Sequence, residues 1–297
     1  MNTRRPARWL SHCLLSATIL LAAPTIGLVE SAFAADPFRS GQAARTLDTG
    51  TAEAFEMLFK NGDYPKARLL LQQARNTTTQ PDPLTYAMLA TFAYLDEDWS
   101  TFKTYGTCTR QVATELNTSG SDPLRGNLYQ AVGYFLEAAY VVSDAGEGLP
   151  GGLPAALDNV QKVFSHLEKA TDINPEDPEL NLITGYIELL LANEVALVSP
   201  KQAINKLQNY AAPGYLSLRG VALAYRDHGS QDQALEAVNR ALEQAPTNPE
   251  LFYLKAQILR KQGKLAASRQ FFDGALAQKD RLPAGLVKQI TKERSKL

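Results

Sequence analysis

Beyond residue 34, the side chains best suited to chemistry are His166, His228 and Cys108. With them go two carboxylate clusters, Asp96-Glu97-Asp98 and Glu176-Asp177. A zinc site needs three or four closely placed ligands, and neither histidine has another His or Cys at metal spacing. A nucleophile elbow reads G-x-S-x-G on a strand–turn–helix unit, and that pentad is absent. The glycines of AGEGLPGGLP, residues 145–154, suggest a phosphate loop. A P-loop, however, closes on G-K-[ST] after a strand, and neither feature is found here. The stretch reads instead as an insertion, 143–154. The carboxylates fall at helix starts, where they cap free N–H groups and face the positive end of the helix dipole. No catalytic residue, metal or cofactor is assigned, and the chain is read as a non-enzyme.

The elements around these residues are helical. In 215–248, Leu218, Val221, Ala222 and Tyr225 recur at helical spacing, and Gly229 ends that helix as a left-handed cap residue does. Ala234, Leu235, Val238, Ala241 and Leu242 then mark a second helix, stopped at Ala245-Pro246. One unit further on, the pattern repeats: Phe252, Ala256, Leu259, Gly263, Ser268, Phe272 and Ala275 stand where Leu218, Ala222, Tyr225, Gly229, Ala234, Val238 and Ala241 stood.

This spacing resembles the tetratricopeptide (TPR) repeat, a helix–turn–helix unit of about 34 residues. The match lacks the motif's Trp, and Asp280 replaces the final Pro. Weaker echoes run back through Leu58, Gly62, Ala67 and Ala74; through Leu89, Ala90 and Trp99, with a poor second helix; through Gly133 and Ala170; and through Gly185. The expected fold is all-α, a TPR-type right-handed superhelical solenoid of about six hairpins plus a C-terminal capping helix. Its irregular units span about 47–80, 83–118, 122–176 and 177–212. Regular units follow at 213–248 and 249–280, with the cap at 283–297. Residues 35–46 read as an exposed lead-in.

In TPR proteins the first helix of each hairpin lines a concave groove. The resemblance implies groove positions at Met88 and Tyr94 in the second unit, and at Ile183 and Tyr186 in the fourth. In the last two units it implies Arg219, Arg226, Tyr253, Gln257 and Arg260. Such a groove is apolar early and basic late, and suits a protein or peptide partner ending in acidic groups. The family's Lys/Asn carboxylate clamp has no counterpart here. The alternative reading is an envelope enzyme or small-ligand accessory subunit using the 143–154 insertion beside His166.

The segment 1–34 reads as a cleavable export signal. Arg4, Arg5 and Arg8 precede an apolar run from Cys13 to Val29, and the segment ends on Ala32-Phe33-Ala34. The expected destination is the periplasm, or the thylakoid lumen for a cyanobacterial source. The chain looks similar to secreted cyanobacterial TPR proteins of unassigned function. The net charge of the whole chain is −1, which argues against nucleic acid as a partner. No membrane span is expected after signal cleavage.

Overall fold

Repeating pairs of helices account for nearly all of the described residues. The computed structural model describes residues 36–77, 81–194 and 200–297; the expected export signal lies outside them. The first pair is α1 (Thr49–Phe55), continued by a π-helical turn (Glu56–Lys60), and α2 (Tyr64–Thr77). Then come α3 (Pro83–Leu95) with α4 (Trp99–Thr118), α5 (Pro123–Val142) with α6 (Leu153–Ile173), and α7 (Pro178–Glu194) with α8 (Pro200–Asn209). The last pairs are α9 (Gly214–Asp227) with α10 (Gln231–Gln244) and α11 (Pro249–Lys261) with α12 (Leu265–Leu276), followed by α13 (Ala284–Arg294). The described residues contain no strand. No helix among them is long and apolar enough to cross a membrane.

The repeat residues do the packing that their types imply. Gly229 and Gly263 turn the last two hairpins with φ of +88° and +76°, a region costly for any residue with a Cβ. Ala222, Ala234, Ala241, Ala256 and Ala275 are wholly buried between helices. Gly133 on α5 lies so close to α4 that a Cβ there would meet Arg110 at 2.7 Å, and one at Gly185 on α7 would meet Leu207 of α8 at 2.7 Å. Small residues thus set the distance between paired helices.

Two features depart from the sequence reading. The second unit's second helix, expected to be poor, is the 20-residue α4. Asp98 caps it by accepting from the Thr101 N–H at 3.0 Å. Its buried face is Phe102, Gly106, Thr109 and Ala113, and two of these hardly register as apolar. The Thr109 hydroxyl is satisfied by the Tyr105 carbonyl at 2.8 Å. The second departure is the lead-in: Asp36 and Phe38 are buried, while Ser40, Gly41, Ala43 and Ala44 stay exposed.

The array also closes on itself. The turn of the first hairpin reaches the start of α11, where a Cβ on Gly62 would lie 2.8 Å from Pro249 Cδ. Asn248 Nδ2 donates to the Phe59 carbonyl at 3.0 Å. The Tyr64 hydroxyl donates to Glu250 at 2.9 Å, and that of Tyr215 on α9 to Glu56 at 3.2 Å. One apolar core runs from Phe38 to Ile258. A second, holding Phe272 and Ala275 of α12 and Ile290 of α13, is the face that α13 covers.

Candidate binding groove

Four first helices begin with the same two-residue device. Asp82-Pro83, Asp122-Pro123, Asp177-Pro178 and Asn248-Pro249 open α3, α5, α7 and α11. Each proline presets the helical φ where no N–H is needed. Each Asp or Asn accepts from a backbone N–H just inside: Leu84 at 2.8 Å, Arg125 at 3.0 Å, Leu180 at 3.0 Å and Glu250 at 2.8 Å.

The starts of α3, α5 and α7 gather around a buried ionic cluster. Arg125 of α5 grips Asp82 through two bonds of 2.6 and 2.8 Å and also reaches Glu179 of α7 at 3.0 Å. Glu179 accepts from the Tyr129 hydroxyl at 2.7 Å and is wholly buried. Burial alone would raise its carboxyl. The attraction of Arg125 and Arg39 and the Tyr129 hydrogen bond outweigh burial and hold it at about 2. From the N-terminal segment, Arg39 bonds Asp177 at 2.6 Å and Glu179 at 3.0 Å, and Arg45 bonds Asp122 at 2.8 Å. The sequence signal for this cluster was the Asp-Pro repeat itself, with Glu179 directly after the proline of α7.

Beside the cluster lies a cavity of about 510 Å³. Phe38, Phe55 and Phe59 form one wall, and α3, α5, α7 and α9 form the others. Four of the expected groove residues meet there: Met88, Ile183, Tyr186 and Arg219. Its polar groups are held by the protein. The Tyr186 hydroxyl donates to the Leu216 carbonyl at 2.7 Å, burial raises its phenol to about 12, and Arg219 pairs with Glu250. The surface offered is therefore apolar.

The other expected groove residues lie apart. Tyr94 is exposed at the end of α3, its ring edge-on to Trp99. Arg226 bonds Gln257 at 2.6 Å and Asp227 at 2.7 Å. Tyr253 donates to Glu293 of α13 at 2.6 Å, Gln257 donates to the same carboxylate at 3.1 Å, and Arg260 pairs with it at 3.2 Å. The basic late end expected from sequence is thus paired off internally, because each guanidinium has an acidic or amide neighbour from its own or an adjacent element.

His166 Nδ1 donates to Asn127 Oδ1 at 3.0 Å, and the ring stacks on Tyr134. Burial and then Lys169 lower its pKa. Cys108 is half-buried, and burial pushes its thiol up. The 143–154 insertion folds back on the end of α5. The Tyr140 hydroxyl donates to the Ala145 carbonyl at 3.1 Å, and the Glu147 N–H to the Val141 carbonyl at 2.9 Å. None of its residues lines the apolar cavity.

Residues 221–283 match the tetratricopeptide repeat family model. No curated protein matches the chain. The match and the all-helical architecture agree on a TPR-type solenoid, a fold that generally serves as a protein-interaction scaffold.

Proposed function

We propose that this protein is a non-enzymatic scaffold, exported to the periplasm, that holds a protein or peptide partner in its concave hollow. The observation that carries the reading is the convergence of Met88, Ile183, Tyr186 and Arg219 on one cavity. These residues lie on three first helices, α3, α7 and α9, and their polar groups are held by the protein. Because the nearby arginines are paired internally, the partner is expected to insert apolar side chains rather than an acidic terminus. Export rests on the N-terminal charge–apolar–small pattern, which would leave the Asp36 segment near the start of the mature chain.

The test uses two exposed positions at the cavity, Thr91 and Leu190. Thr91→Arg combined with Leu190→Arg should abolish partner recovery from the native envelope while leaving the melting curve in place. Equal recovery of the same partners by both proteins would refute the assignment.

A second reading is favoured by the cavity's size. About 510 Å³ falls within the range of small-ligand pockets, roughly 300–1,000 Å³. Native mass spectrometry of protein purified from its own envelope would reveal a retained apolar small molecule.

A further inference from the structure

The segment 36–47 is seated against the starts of α5 and α7 and forms part of the cavity wall, and the way it is fastened is unusual. It contains one short 3-10 turn, Gly41–Ala43. It grips the helices with Phe38, Arg39 and Arg45. Every carboxylate it engages on the helices has a second partner there. Glu179 keeps Arg125 and Tyr129. Asp177 keeps the Leu180 N–H. Asp122 keeps the Arg125 N–H.

The same holds on the segment's own side. Asp36 pairs with Arg39 at 3.2 Å and accepts from the Phe38 and Arg45 N–H groups at 2.8 and 2.9 Å. Removing one member of a buried ion pair ordinarily strands a charge at a large cost in stability. Here the helix carboxylates keep their second partners and Arg39 keeps Asp36 when the two part; Arg45, whose ionic partners all lie on the helices, is a quarter exposed and passes to water. The stretch joining the two fastenings, Ser40 to Ala44, is exposed at the four positions described.

We propose that residues 36–47 are a detachable strap, a built-in competitor that closes the concave hollow and is displaced when the partner enters. This rests on the scaffold reading above and adds its regulation. With the strap seated, Phe38 walls the cavity. With it lifted, the hollow gains that space, and the N-terminal ends of α5 and α7 become reachable. An outside ligand must beat a tethered one, whose effective concentration reaches the millimolar range for a short linker. The closed form is therefore the resting state.

Two measurements test this. In the intact wild-type chain, the Phe38 and Arg45 amides should exchange hydrogen at least ten-fold faster than those of Val221 and Ala222 in the middle of α9, because the strap opens while the array stays folded. Exchange in step with α9 would mean the segment is an integral part of the core and would overturn the proposal. Second, a fluorescent peptide of residues 36–47 should bind Arg39→Gln protein at least ten-fold more tightly than wild type, and the peptide carrying the same change should not bind. A folded Arg39→Gln protein that ignores the peptide would also overturn it; should that variant fail to fold, the wild-type exchange rates decide alone. Neither measurement involves the native partner. Failure of the Thr91→Arg, Leu190→Arg test would leave the strap result standing, and the reverse also holds.

Discussion

Arg125 of α5 and Glu179 of α7 lie 3.0 Å apart with both side chains sealed from solvent, and Arg219 of α9 makes the corresponding pair with Glu250 of α11. In each case an arginine of one first helix reaches the glutamate that follows the opening proline of the next. The pair fixes how far one hairpin is rotated against its neighbour, a task that apolar contacts leave loosely determined. Removing Arg125 alone would leave Glu179 with Arg39 and Tyr129 in a buried site, and is expected to cost about 3–5 kcal/mol. Chemical denaturation of Arg125→Ala beside wild type measures that loss.

Acid should loosen the protein through Glu179. Its carboxyl is held at about 2 against an ordinary 4.5, so the unfolded chain takes up the proton first. The stabilisation is complete above pH ~4.5 and is lost as pH falls toward 2, amounting to roughly 3 kcal/mol. Urea melts between pH 6 and 2 should show this loss, and Glu179→Gln should flatten the slope. An unchanged slope in the variant would remove Glu179 from the account.

Ala241 and Ala275 are spacers between paired helices, both wholly buried. Ala241→Trp or Ala275→Trp should lower stability by about 1–3 kcal/mol or more through overpacking. Glu236→Trp, on the exposed face of α10, should change it little. Equal melting curves for Ala241→Trp and Glu236→Trp would contradict the hairpin packing.

Glu293 collects Tyr253, Gln257 and Arg260 onto the cap. Burial favours its neutral form, yet the hydrogen bonds from Tyr253, Gln257 and Gln289 and the attraction of Arg260 hold the carboxyl below its ordinary value. Glu293→Ala should make the α13 amides exchange faster while those of α5 stay slow. Equal protection in the two proteins would assign the cap's hold to Ile290 and its apolar neighbours alone.

Gly62 turns the first hairpin with φ +63° and touches Pro249. Gly62→Ala imposes both an unfavourable backbone and a clash, and should cost about 1–3 kcal/mol. Gly229→Ala carries the backbone penalty alone, since no atom lies within 4 Å of its added Cβ. Differential scanning calorimetry should therefore find Gly62→Ala the less stable of the two.

The helical array was legible because its register rests on side-chain size. Gly229 and Gly263 supply the left-handed turn and Ala222 and Ala256 the close helix approach, each repeated at a fixed step. The α4 helix was harder to see, since Gly106 and Thr109 carry its buried face without looking hydrophobic. Of the expected groove positions, Met88, Ile183, Tyr186 and Arg219 line one cavity. The engagement of Tyr253, Gln257 and Arg260 by Glu293 depends on where α13 docks, which no local pattern encodes. The burial of Asp36, Phe38 and Arg39 was invisible for the same reason. Asp177 and Glu179, which hold Arg39, lie far along the chain, beyond α6, so composition alone reads the segment as an exposed polar tail.

Contact between Gly62 and Pro249 gives the array a seam, and a seam fixes a number. An open row of hairpins tolerates the gain or loss of a unit, because each contacts only its neighbours. A row whose first turn must land on its sixth first helix does not: one unit more or fewer would carry Pro249 past Gly62 and part Asn248 from Phe59. Deleting a whole hairpin, normally the mildest lesion an array can suffer, should here be among the most severe.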